Sequence, residues 1–285
     1  MSAAPPRRPI RIGAQIAPQH GSAAQLLDAA ARMEDLGVDL VLGWDHFFPL
    51  TGPARPGHHD GAHLEAFTLL AAVAERTSRV EFGPLVAATP FRNPDLLADM
   101  ARTIDHISAR DAGVGRFVLG LGAGWNERDF EEYRYGVGQP GEVGLGTVGE
   151  RLTAFEAAVP RVLARLGRLD PPPTRRIPIL IGGAGERRTL RMVARHADLW
   201  HAFGDEATLA RKAAVLDEHC RELGRDPAAI ERSTGTSVRG LGVGDPASAE
   251  RLLGIGFTTF IIAISPPDLD DRAVRALLAW RDSIA

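Results

Sequence analysis

Cysteine is almost missing from this chain: Cys220 is the only one in 285 residues, so no disulfide can form within it. It follows Leu216 in a helical pattern and reads as a packed helix residue. Lysine is equally scarce. Lys212 is the sole example, and positive charge is otherwise carried by arginine. No apolar run approaches the roughly 18 residues needed to span a bilayer. The start, Met1–Pro9, sets Arg7 and Arg8 among Pro and Ala and has no apolar stretch of signal-peptide length. The expectation is a loose tail over 1–9, one domain over 10–285 and a cytoplasmic location. A formal net charge of −3 creates no long-range field that would draw nucleic acid or an anionic membrane.

What is present is ordinary in amount and regular in pattern. Hydrophobic residues make up 45%, enough for a sizeable core. Short apolar runs recur at Ile10–Gln15, Leu40–Gly43, Val80–Val86, Phe117–Leu121, Ile177–Ile181, Ala197–Phe203, Glu231–Ser237 and Thr258–Ala263. Between them lie amphipathic helical patterns. Ser22 is placed to cap a helix whose Leu26, Leu27, Ala30, Met33 and Leu36 share a face, and Asn93-Pro94 opens another. Strand–helix alternation implies parallel strands joined by crossover helices. Eight units without a linker predict an α/β fold of the (β/α)8 TIM-barrel type, whose active site lies at the C-terminal ends of the strands.

That rule selects the candidate residues. Asp45-His46 follows the second run, where a carboxylate beside an imidazole can fix its tautomer; the competing reading is a buried histidine bonded to backbone. Gly182-Gly183-Ala184-Gly185 joins the fifth run to a helix expected to begin near Glu186 or Arg187. Glycines admit a close-approaching ligand and a first helical turn offers free N–H groups, so this reads as a phosphate loop, with Arg187 and Arg188 adding charge. Its competitor is a tight connection that needs positive φ. Gly120-Leu121-Gly122-Ala123-Gly124 lacks the GxGxxG spacing of a dinucleotide fingerprint and reads as room for a planar ring at the barrel mouth. His58, His59, Asp60 and His63 cluster after the second run. Their loop setting speaks for solvated or substrate-facing side chains, and no metal ion is expected there.

Four stretches in this order, WDHFF (44–48), TPFRNPDLLADMARTIDHIS (89–108), GRFVLGLGAGWNERDFEEY (115–133) and PILIGGAGERRTL (178–190), resemble the luciferase-like monooxygenase superfamily in its coenzyme-F420-dependent branch. The resemblance runs from Ile10 to about Ile262. It implies a bacterial-luciferase-like barrel with the coenzyme ring across its mouth. Leu85–Val86 matches a non-proline cis peptide that forms a bulge behind the ring. His46 matches a histidine near the reactive ring edge, with Asp45 its neighbour. Ala123, Gly124 and Asn126 match ring and ribityl contacts, and Gly182 to Gly185 match the phosphate loop. Two departures bear on substrate. Trp125 stands where sugar-phosphate dehydrogenases of this family carry glutamate, and the lysines that hold their substrate phosphate cannot exist here. The segment Val238–Phe257 is short where many relatives carry an insertion.

The expectation is an enzyme that exchanges hydride between coenzyme F420 and a small-molecule organic substrate, with His46 as proton donor or acceptor oriented by Asp45. The expected assembly is a homodimer. The alternatives are an FMN-dependent monooxygenase on the same barrel, a metal-dependent barrel hydrolase using the histidine cluster, and a non-catalytic coenzyme-binding protein.

Overall fold

The structure, a computed structural model, describes residues 9–50, 61–137, 141, 143–236, 244–266 and 269–284. Its strands are β1 (Arg11–Ile16), β2 (Leu40–Gly43), β3 (Glu81–Pro84), β4 (Ala87–Ala88), β5 (Leu119–Gly122), β6 (Ile179–Gly182), β7 (Leu199–His201), β8 (Glu231–Gly235) and β9 (Thr259–Ile264). The helices are α1 (Ala23–Leu36), α2 (Ala66–Arg76), α3 (Pro94–Ala109), α4 (Glu127–Glu132), α5 (Val148–Leu166), α6 (Thr189–His196), α7 (Glu206–Glu222), α8 (Pro246–Gly254) and α9 (Arg272–Ser283). Among the described residues no helix is long and apolar enough to cross a membrane.

Helix starts follow the caps read from the sequence. Ser22 and Gln25 form a reciprocal capping box at α1, and the Asn93 side chain accepts from Asp95 N with Pro94 at the first helical position of α3. One expected start moves: α6 begins at Thr189, after a turn over residues 186–188, rather than at Glu186 or Arg187.

All strand pairs are parallel, in the order β3-β2-β1-β9-β8-β7-β6-β5-β4. The ring closes because β3 also meets the chain leading into β5. Phe82 N–H donates to Arg116 O at 3.2 Å, and Val118 N–H donates to Phe82 O at 2.8 Å. The run Val80–Val86, expected as one strand, is therefore a barrel strand in two parts. β3 pairs with β2, β4 pairs with β5, and the break falls at Leu85–Val86, whose peptide is cis.

The core has two shells. Ile12, Ala14, Val41, Phe82, Phe117, Leu121, Trp200, Phe260 and Ile262 face the helices. Leu40, Leu42, Leu85, Val118, Leu180, Leu199 and Ile261 fill the barrel interior. The two sets alternate along each strand, as a pleat requires. At the N-terminal end the interior turns ionic. Arg11 reaches across to Glu81 at 2.5 Å and Glu231 at 3.3 Å, Arg175 reaches Glu81 at 2.7 Å, and the Thr259 hydroxyl donates to Glu231. This salt-bridged floor leaves the opposite end as the mouth.

Candidate active site

The mouth is built on the residues that follow the strands. Beyond β2, Trp44, Asp45 and His46 are all buried, yet Asp45 and His46 have separate partners. Asp45 accepts both prongs of Arg92, at 2.6 and 2.9 Å, and Ala88 N–H at 3.1 Å. Arg92 continues to Glu65 at 2.6 Å and lies over the Phe67 ring at 4.4 Å. Burial pushes the Asp45 carboxyl up, and Arg92 opposes it. Asp45 thus ties β2 to β4 and to the start of α3. It does not orient His46, the role expected from the sequence, because its oxygens are taken by Arg92 and Ala88 N–H.

Asp129 of α4 takes that role. His46 Nδ1 lies 2.5 Å from Asp129 Oδ2, and Asp129 is fully buried. The carboxylate also accepts Phe47 N–H at 3.0 Å and the Asn126 amide at 2.9 Å. Burial pushes the Asp129 carboxyl up, but His46 and these donors together hold it below the ordinary value. An ionised carboxylate only accepts, so Nδ1 carries a proton towards it. The other nitrogen, Nε2, bonds to no described residue. Trp44 and Trp125 stand edge-on to the imidazole at 6.4 and 5.4 Å, and Trp125 is 56% exposed. Of the histidine cluster only His63 lies among the described residues. It accepts the Trp44 indole N–H at 3.2 Å, and burial, reinforced by His46, holds it down to about 4.

The break between β3 and β4 forms the wall of the mouth. Gln15 donates to Leu85 O at 3.1 Å, and the Val86 side chain packs over Gly122 and Gly182. A Cβ on Gly122 would stand 2.5 Å from Val86 Cγ2, and one on Gly120 would run into Pro84 O. These two glycines therefore make room for the bulge, not for a ring in the mouth, a correction to the sequence reading. Gly124 turns the chain over Phe130, Ala123 packs against the core beside it, and Asn126 is drawn to Asp129.

Gly182 to Gly185 lead from β6 towards α6. Gly183 has φ +125°, open to glycine and strained for other residues. Its N–H donates to His201 O at 2.9 Å and its carbonyl accepts the Trp200 indole at 2.8 Å. The amides of residues 184–188 donate to no described residue. Arg187 is exposed and without an ion pair among the described residues, whereas Arg188 is bound to Glu156 at 2.6 Å and is not free to serve a ligand.

The structure thus brings His46, Val86, Ala123, Gly124, Asn126 and the glycine loop to one end of the barrel. Sequence reasoning missed Asp129, Arg92, Gln15 and His201. His201 alone had a usable signal, a histidine two residues from Leu199 and so on the same strand face.

A family model described as luciferase-like monooxygenase matches residues 7–253. An F420-dependent glucose-6-phosphate dehydrogenase of Amycolatopsis mediterranei is 33% identical over 117 residues, which cover 40% of this chain and 32% of that one. The matched stretch spans about a third of that relative's length. Among solved structures, an F420-dependent secondary alcohol dehydrogenase in complex with an F420–acetone adduct superimposes with a TM-score of 0.77. It is 18% identical, over 98% of this chain and all of that one. An EDTA monooxygenase from Chelativorans sp. superimposes at 0.70 with 12% identity, over 98% and 94% of the two chains.

Proposed function

The chain belongs to the luciferase-like monooxygenase family, and on that premise we propose that it is an oxidoreductase using coenzyme F420 to pass hydride to or from a small organic substrate. One observation carries the reading. A histidine held at Nδ1 by a buried carboxylate shares the barrel mouth with an apolar bulge and a glycine loop whose following amides have no partner among the described residues. These residues fit a flat ring with a phosphate tail. Val86 gives the ring an apolar backing, Gly183 leaves no Cβ in the way, and the amides of 184–188 with Arg187 suit an anion.

When bound, the coenzyme would supply the hydride chemistry. His46 would give or take a proton at Nε2, the nitrogen with no partner among the described residues. Asp129 would hold the ring in place and balance the charge of a doubly protonated imidazole. Trp125 stands where the resemblance gives sugar-phosphate dehydrogenases a glutamate, and Lys212 is the only lysine, so we read the substrate as other than a sugar phosphate.

FMN would use the same cradle. Titration with each coenzyme, followed by quenching of tryptophan fluorescence, separates the two. Trp44 and Trp125, both edge-on to His46, serve as reporters. The expected result is F420 binding at least about tenfold tighter, equivalent to about 1.4 kcal/mol. Equal or tighter binding of FMN moves the assignment to an FMN-dependent monooxygenase, and binding of neither sinks the reading.

A further inference from the structure

β7 ends in a histidine that the chemistry above does not use. Leu199 belongs to the barrel interior and Trp200 to the outer shell, so alternation turns His201 inward. It is 3% exposed and in register with Gly182 on β6, the glycine beneath Val86.

Its neighbours fix its proton. Ser233 on β8 has one hydroxyl hydrogen and donates it to Trp200 O at 3.0 Å. The same Oγ lies 3.0 Å from His201 Nδ1. With its only hydrogen already given, Ser233 accepts there, so Nδ1 carries the ring proton. The neutral ring then presents a lone pair at Nε2, and that atom is buried without a partner among the described residues. Protonation does not relieve it, because burial holds the imidazole down to about 3. Folded proteins seldom leave such an acceptor idle.

The surroundings point to a ligand. His201 O accepts Gly183 N–H, and the Trp200 indole donates to Gly183 O, so one closed set of hydrogen bonds joins His201, Ser233 and Trp200 to the glycine loop. Phe203 packs edge-on to the imidazole at 4.8 Å, is 44% exposed and is followed by Gly204.

We propose that His201 Nε2 is a binding-site acceptor that receives a hydrogen bond from an O–H or ring N–H of the coenzyme, with the Phe203 ring turning aside. The inference rests on reading the mouth as a coenzyme site. It is tested by equilibrium titration of wild type, His201→Phe and His201→Gln with F420, alongside thermal melts of the free proteins. His201→Phe keeps the bulk and loses the acceptor; its affinity is expected to fall about tenfold or more, the usual result of stranding a donor. His201→Gln restores an acceptor, and its affinity is expected within about threefold of wild type. Two deazaflavin fragments locate the donor, one keeping the ribityl chain and one with a methyl group in its place. A His201→Phe defect confined to the first assigns a ribityl hydroxyl, and a defect in both assigns a donor on the ring itself. Imidazole 15N NMR of the unliganded wild type is expected to report an unprotonated Nε2 that shifts on binding. Wild-type affinity in His201→Phe, or a protonated Nε2 in the unliganded protein, overturns the proposal while leaving the coenzyme reading intact. Failure of wild type to bind F420, FMN or either fragment overturns both.

Discussion

Asp129 accepts three hydrogen bonds, from His46, the Phe47 amide and the Asn126 side chain, and a carboxamide cannot repeat that pattern. With one oxygen it would turn an NH2 group against another donor. Asp129→Asn is therefore expected to lower turnover while coenzyme affinity changes little. His46→Ala is expected to lower turnover by about 10²–10⁴-fold, the usual contribution of a positioned proton donor or acceptor. Asp45→Asn should behave differently. It loosens the buried Arg92 and costs stability without a selective effect on chemistry. Single-turnover rates with bound coenzyme, set beside denaturation midpoints, separate these outcomes. Equal turnover in wild type and Asp129→Asn would remove the carboxylate from the catalytic account. His46 itself was legible, since the C-terminal end of a barrel strand is where such a group belongs. Its partner was not, because that pairing joins residues 46 and 129 through the barrel and no local pattern records it.

At the scale of elements, alternation and caps were sufficient to order the strands and helices, while their edges moved by up to three residues. Phe117 and Val118 are apolar enough to read as strand, yet the ladder with β6 begins only at Leu119, opposite Ile179. The division of the third run was legible only through the family resemblance, since Leu85 and Val86 look like any strand pair. A further joint was hidden altogether. Arg116, just before β5, is buried and donates to Ala74 O, Thr77 O and Val80 O at 2.7–2.9 Å, and to Thr77 Oγ1 at 3.0 Å. It closes the C-terminal end of α2 and fastens it to β3. Desolvation pushes its guanidinium below the ordinary value, and among the described residues no carboxylate bonds to it directly. Arg116→Met would strand several carbonyls. A loss of about 2–4 kcal/mol is expected, read as a lower urea midpoint at unchanged m-value. A loss below about 0.5 kcal/mol would show that solvent reaches those carbonyls.

For the molecule as a whole, half-buried His63 and buried His201 contribute to its response to acid. His63 is held down to about 4 and His201 to about 3, against 6.5 when unfolded. Between those values the unfolded chain binds protons that the folded chain refuses. Their contribution to stability is therefore fully present above about pH 6.5 and declines as the pH falls, with a limiting slope of about 1.4 kcal/mol per pH unit for buried His201 and less for half-buried His63. Denaturation midpoints at pH 7.5 and 5 should differ accordingly, and His63→Gln should flatten the difference. A midpoint indifferent to pH across that interval would contradict the depressed basicity of both rings.

The ionic floor has a consequence of another kind. Arg11, Glu81, Glu231 and Arg175 close one end of the barrel and apolar side chains fill its interior, so a ligand that rests against Val86 arrives from the mouth. Anything that rests against Val86 blocks the way to itself once a second molecule stands above it. If coenzyme and substrate share this mouth, they must queue: the coenzyme is first in and last out, and the substrate comes and goes over it. A barrel plugged by salt bridges thereby imposes an order of events in time.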